Sequence, residues 1–156
     1  MRRKEREVVE ASEIMEIIQK CDCCSIAFSD GEYPYVIPLN FGAVYRNDTF
    51  YLYFHCAHEG KKIDLIHQNN KVAFEMNTSH KLILSETACN ATMGYESVCG
   101  TGTIRIVDGD RKAEGLQLMM KQYDPDKIHE FPEKALQAVT VLELEIKQIS
   151  GKRNLR

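Results

Sequence analysis

The sequence predicts a mainly β fold with flanking α-helices: an antiparallel barrel of about six strands with helices packed outside it. Stretches with an apolar side chain at every second position recur along the chain, and turn residues separate most of them. The strict alternation of strand and helix that a doubly wound parallel sheet requires is absent, and no internal repeat is visible.

Residues 12–20 carry Ile14, Met15, Ile17 and Ile18 on one helical face. Ser12 is the expected N-cap, and glutamates lie near the positive end of the helix dipole. Cys23 to Phe28 reads as a short strand, closed by the turn residues Ser29, Asp30 and Gly31. The run YPYVIPLNFGAVY then reads as one long strand, with Tyr35, Ile37, Leu39 and Phe41 alternating with Val36, Pro38 and Asn40. Proline cannot donate to a ladder, so Pro34 and Pro38 put part of this strand at an edge or bulge, where backbone groups stay free for a ligand.

Arg46 to Thr49 forms a polar turn, after which Phe50, Leu52 and Phe54 alternate with Tyr51, Tyr53 and His55. The pattern stops at His55. HEGKKIDLIHQN has helical spacing at Ile63 and Ile66, with Gly60 near its start and asparagines at its end. Val72, Phe74 and Met76 mark another strand, and SVCGTGTIRIV marks one interrupted by two glycines. Leu116, Met119, Met120 and Tyr123 fall at i, i+3, i+4 and i+7, extended by Ala113, which predicts a helix packing this stripe into the core. Leu142, Leu144 and Ile146 alternate with Glu143, Glu145 and Lys147, a strand with one wet face, and KRNLR is expected to be a solvated tail.

With 156 residues, of which 44% are hydrophobic and 28% charged, residues 1–156 fit a single domain with a full core. A net charge of -3 supplies no positive field for nucleic acid or an anionic membrane. No apolar run approaches the roughly 20 residues of a membrane helix, and MRRKEREVVE leads into a polar segment. The 6 cysteines are therefore expected as reduced thiols, and the cytoplasm as the compartment.

FHCAHEGKK is the segment richest in chemistry, because it sets a histidine at a strand end and two lysines in the first turn of a helix. Outward N–H groups, the dipole's positive end and the close approach allowed by Gly60 suit a phosphate monoester, with Lys61 and Lys62 as counter-charges. Zinc is commonly held by four side chains. His55, Cys56 and His58 are not expected to make such a set, because if the strand continues to Cys56, His55 and Cys56 point to opposite faces. Cys21, Cys23 and Cys24 have no second CxxC to complete one, so no metal is expected. GTGT does not open a helix and is no phosphate loop, and Glu143 with Glu145 is expected to meet solvent rather than to form a catalytic acid pair.

The stretches YPYVIPLNFG, YLYFHCAHEGKKIDLI and YESVCGTGTIRIV resemble, in order and approximate spacing, motifs of the pyridoxamine 5'-phosphate oxidase-related FMN-binding split-barrel family, in its nitroimidazole-reductase-like branch. The resemblance spans nearly the whole chain. It implies a six-stranded split barrel and a homodimer with FMN at the interface. The phosphate would lie near Gly60, Lys61 and Lys62, and the isoalloxazine along Ile37, Pro38, Leu39 and Asn40, close to Phe54 and His55. Ser97 and Val98 would line the pocket, from this chain or its partner. The implied activity is an FMN-dependent oxidoreductase taking electrons from a nicotinamide, NAD(P)H, or another donor and passing them to a small electrophile such as a nitroaromatic. His55, whose imidazole can exchange a proton near neutral pH, would position the substrate or supply that proton. Related split barrels bind haem or deazaflavin, but lysines at the phosphate favour FMN; a flavin-binding or stress-linked module without turnover is the reading from outside the enzymes.

Overall fold

Strands form where apolar side chains alternate, and helices where they recur every three or four residues, in the computed structural model, which describes residues 3–154. The strands are β1 (Glu7–Val8), β2 (Cys24–Phe28), β3 (Tyr35–Leu39), β4 (Gly42–Arg46), β5 (Thr49–Cys56), β6 (Lys71–Ile83), β7 (Thr92–Val107) and β8 (Thr140–Asn154). The helices are α1 (Ala11–Lys20), α2 (Lys61–Gln68), α3 (Gly109–Tyr123) and α4 (Glu133–Gln137). All strands join one 8-stranded sheet in the order β3-β2-β6-β7-β8-β5-β4, with β1 beside β8, and every pairing is antiparallel.

The mainly β class with outlying helices is as the sequence predicts. The strand count is higher, because YPYVIPLNFGAVY breaks at Asn40 and Phe41 into β3 and β4 and because Glu7–Val8 adds a short pair. That break closes the barrel. β3 and β4 are the two ends of the sheet, yet they are consecutive pieces of chain, so the kink carries the chain from β2 on one side to β5 on the other. β3 is an edge strand, where Pro38 can be accommodated. A hairpin joins β4 to β5 through Asn47 (φ 49°) and Asp48 (φ 57°), the left-handed pair that a two-residue turn of this twist requires.

Ile26, Phe28, Phe41, Leu52, Phe54, Ile104, Leu142 and Leu144 fill the barrel and are fully buried. α1 adds Ile14, Ile17 and Ile18, and α2 adds Ile63, Leu65 and Ile66. Ser12 lies inside α1 rather than at its N-cap, which is Glu10 and makes no side-chain cap bond. A second apolar cluster forms outside the barrel, where α3 lies across β4, β5 and β8 and joins Met119 to Tyr53, Val107 and Val141. The approach is close: a Cβ on Gly42 would overlap the backbone of Leu118 and Met119.

This outer layer corrects the expected wet face of β8. Glu143 is fully buried, because α3 and the side chains around it cover that part of the strand. The basic tail is also not simply solvated: Lys152, Arg153 and Asn154 belong to β8, and Arg153 Nε donates to Glu96 at 2.7 Å; Leu155 and Arg156 lie outside the described residues. Among the described residues no helix is long and apolar enough to cross a membrane.

Candidate functional site

β5 delivers His55 to its C-terminal end, and α2 opens a few residues later. Gly60 caps α2 with φ 132°, a conformation that side chains rarely tolerate. The helix's first bonds run from Ile63 N and Asp64 N to Gly60 O at 2.8 and 3.3 Å, so they begin beyond the amides of Lys61 and Lys62. The two lysines do not share one environment. Lys61 Nζ pairs with Asp30 Oδ2 at 2.5 Å and lies 5.0 Å from the centre of the Tyr35 ring. Lys62 stands near Cys56, whose thiol burial pushes up while the lysine's charge opposes that push.

From Tyr35, β3 leads away from Lys61. Ile37 and Leu39 are half-buried against the barrel core, whereas Val36 and Pro38 are exposed. The kink at its end is held by one side chain from α3. Tyr123 Oη accepts from Phe41 N at 3.0 Å and from Asn40 Nδ2 at 3.2 Å, and donates to Asp22 O at 2.9 Å. Asn40 Nδ2 also donates to Asp22 O at 3.0 Å.

Asn40 and His55 meet at a cavity of about 460 Å³. Leu116, Met119, Met120 and Tyr123 form one wall, and Phe131, Ala135 and Val139 form another. The helical stripe that the sequence assigns to the core is thus a cavity wall, with Met119 its only buried member and Tyr123 exposed. His55 is exposed on this side, while Cys56 packs against the barrel core, as opposite strand faces require. Phe54 also faces the barrel interior and is fully buried.

Ser97 and Val98 lie elsewhere on the sheet. β7 is separated from β5 by β8 and from β3 by β6 and β2. Ser97, half-buried, sits opposite Asn77 and Lys152, and the fully buried Val98 turns its side chain into its own barrel. The fold therefore brings together Asn40 and His55 at one place and Tyr35 and Lys61 at another, with β3 between them.

His58 is occupied in fastening the cavity's outer wall, with Nδ1 at 2.9 Å from Thr140 Oγ1 and Nε2 at 2.8 Å from Gln137 O. Among the described residues no group of three or more His, Cys, Asp or Glu side chains could hold a metal. Two buried carboxylates are structural. Burial would raise the Glu143 carboxyl, but hydrogen bonds from Tyr53, Arg105 and Arg111 outweigh that and hold it below its usual value. Burial likewise opposes ionisation of Glu96, yet Lys20, Ser79 and Arg153 bring it down to about 2.

Sequence reasoning missed Tyr123 as the clamp of the kink and Phe131, Ala135 and Val139 as cavity wall. A stripe of Leu, Met and Tyr gives the same signal whether it meets a core or a hollow.

The sequence profile of the pyridoxamine 5'-phosphate oxidase family matches residues 10–153. Among solved structures, the chain is similar to a Bacteroides thetaiotaomicron protein named as a candidate 5-nitroimidazole antibiotic resistance protein, with 30% identity, 94% of this chain and 85% of that one covered, and a TM-score of 0.79. It shares its fold with a flavocytochrome from Azotobacter vinelandii (18% identity, 100% and 72% covered, TM-score 0.80). An FAD- and haem-binding protein from Mycobacterium smegmatis has that fold as well (16% identity, 96% and 73% covered, TM-score 0.83). No curated protein sequence matches the chain. The profile match over nearly the whole length, together with the likeness to the Bacteroides protein, shows that this chain belongs to the pyridoxamine 5'-phosphate oxidase family, with its split-barrel fold.

Proposed function

We propose that this chain, as one domain of a homodimer, binds FMN and works as an FMN-dependent oxidoreductase on small electrophiles, nitroaromatics among them. One observation carries the reading: a single edge strand links a basic helix start to an apolar cavity. From Tyr35, beside Lys61, to Asn40, at the cavity mouth, an extended chain spans roughly 17 Å. That span suits a molecule with a phosphate at one end and a flat ring system at the other, and flavin needs both an apolar wall and backbone partners. The name of the Bacteroides relative supports nitroimidazoles as the acceptor class.

In this arrangement Lys61, Lys62 and the free amides after Gly60 would hold the phosphate, while Ile37, Pro38, Leu39 and Asn40 would lie along the ring. Lys61 has to turn from Asp30 toward the ligand. Ser97 would reach the site from the partner subunit, since within one chain it lies strands away, and Val98, whose side chain fills its own barrel, would contribute only its backbone. When bound, the flavin would supply two-electron redox chemistry between a donor such as NAD(P)H and the acceptor. His55 is exposed at the cavity and can hydrogen-bond a substrate oxygen or hand it a proton.

The test is spectroscopic. Protein purified without added cofactor should carry, or take up, FMN with its yellow absorption, and NAD(P)H should bleach it, with recovery on adding a nitroimidazole. Binding without bleaching by any donor would leave a flavin-binding module without turnover, and no flavin uptake would refute the reading.

A further inference from the structure

β4 pairs with β5 on one side and, among the described residues, with no strand on the other. Its hairpin register says which backbone groups that open edge presents. Arg46 and Thr49 flank the two-residue turn and so exchange hydrogen bonds, as do Val44 with Tyr51 and Gly42 with Tyr53 further along the ladder. Ala43 and Tyr45 therefore point their N–H and C=O groups away from β5. Phe41 is next in the same series, and its N–H is taken by the Tyr123 hydroxyl at 3.0 Å. At Ala43 and Tyr45 no backbone group among the described residues closes the edge.

Proteins blunt such edges with proline, charge or a bulge. β3 has Pro38, but Gly42 to Tyr45 holds neither a proline nor a charge, and the β4–β5 register is unbroken. A groove of about 550 Å³ lies along Ala43, Val44 and Tyr45. Met15 and Gln19 of α1 and Leu118 and Lys121 of α3 wall it. Ala43 packs toward the barrel core and Val44 toward the α3 layer, so the edge between them opens into the gap between the two helices. That gap is preset: Gln122 Nε2, from α3, donates to Ile18 O at 3.1 Å and to Cys21 O at 2.9 Å at the end of α1.

Two features choose the occupant. Helices flank the edge, so a single extended segment can reach it, whereas the β4 of a second copy, flanked by its own α1 and α3, would meet helix against helix. Lys121 is the one charged residue among those lining the groove, and it makes no ion pair among the described residues. Arg46 meets Glu114 and Gly42 meets Leu118, so α3 runs antiparallel to β4 and Lys121 lies beyond the Gly42 end. A segment antiparallel to β4 finishes at that lysine.

We propose that the β4 edge is a docking site for an extended, largely apolar peptide, which adds to the sheet as an antiparallel strand and sets its C-terminal carboxylate against Lys121. The groove shares no lining residue with the cavity at His55, and docking there does not rest on the flavin reading.

Amide hydrogen exchange on the full chain tests the edge itself. Ala43 and Tyr45 should exchange fast and Val44 slowly, and bound peptide should slow the first two about tenfold. The probe is fluorescein-labelled Thr-Val-Thr-Val-Thr-Val with a free C-terminus, whose β-branched residues favour a strand, followed by fluorescence anisotropy. Its C-terminal amide should bind about fivefold more weakly, and Lys121→Ala should weaken the acid by the same factor while leaving the amide unchanged. N-methylation of all valines and of all threonines should differ, one abolishing binding and the other sparing it, because alternate N–H groups face β4. No binding at millimolar peptide, equal loss from both N-methylated sets, or indifference to Lys121→Ala would each overturn the proposal. Slow exchange of Ala43 and Tyr45 in the free chain would overturn it too, by showing the edge already covered by a second copy. None of these outcomes bears on FMN uptake.

Discussion

Tyr123 accepts the backbone N–H of Phe41 at 3.0 Å, so the last residue of α3 pins the point where the barrel's closing strand breaks. The same hydroxyl meets Asn40 Nδ2 and Asp22 O, and all three contacts lie more than 80 positions away along the chain. Tyr123→Phe leaves the ring in the cavity wall and removes only these bonds. The expected loss is about 1–2 kcal/mol, less than for a buried site because the residue is exposed. Urea denaturation measures it, and flavin titration should show modestly weaker binding as Asn40 loses one of its two anchors and keeps the bond to Asp22 O.

Tyr53 and Glu143 face each other across β5 and β8, joined by a 2.7 Å hydrogen bond from the phenol to Glu143 Oε2. Arg111 donates to the same oxygen at 2.6 Å, and Arg105 Nε donates to Oε1 at 2.8 Å. Glu143→Ala should cost on the order of 2–4 kcal/mol, mainly by leaving the Tyr53 O–H under α3 without an acceptor while Arg46 Nη2 still donates to its oxygen at 2.8 Å; the half-exposed Arg105 and Arg111 can turn to water. Tyr53→Phe should cost about 1–2 kcal/mol. A double variant whose loss equals the two single losses added together would show that the residues are not coupled.

Acid should unfold this chain through its buried carboxylates. Glu96 is held at about 2 against an ordinary 4.5, and Glu143 is shifted in the same direction. A carboxylate depressed in the folded state contributes its full stability above the unfolded value and loses it as pH falls through the folded one. Urea midpoints should therefore be flat near neutrality and fall between about pH 5 and pH 2. Glu96→Gln should lower the midpoint at neutral pH and reduce the acid slope; an identical slope would exclude Glu96 as a source of the pH dependence.

Lys61→Ala combined with Lys62→Ala should weaken FMN by about 2–5 kcal/mol if both contact phosphate through charge-assisted bonds. Asp30 sharpens the test. Its carboxylate occupies Lys61 at 2.5 Å and would repel a phosphate, so Asp30→Asn should tighten FMN binding. Fluorescence quenching of free FMN gives both affinities, and unchanged values would remove the basic turn as the anchor.

How much of this was legible beforehand follows from the range of the interactions. β5 and the first half of β6 could be read because apolar alternation is local, and so could α2, with a glycine cap and apolar groups at helical spacing; the exposed second half of β6 carries no such alternation. Pro34 and Pro38 marked an edge because a missing donor is a property of the residue itself. The break between β3 and β4 left no such mark: its alternation runs through Phe41, and what bends it is a tyrosine from the far end of α3.

The sequence alone determined the β class, the order of most elements, the basic helix start and, through its motifs, the family. Tertiary structure decided what covers what. Glu143 has the alternation of a solvent-facing acid but is buried, because Arg105 and Arg111 arrive from β7 and α3 to neutralise it. The Leu–Met–Tyr stripe has the spacing of core residues but borders a hollow, because the segment around Phe131 and Val139 stands off from it. Periodicity reports which face of an element is apolar; the surface that face meets is set by chain segments distant in sequence.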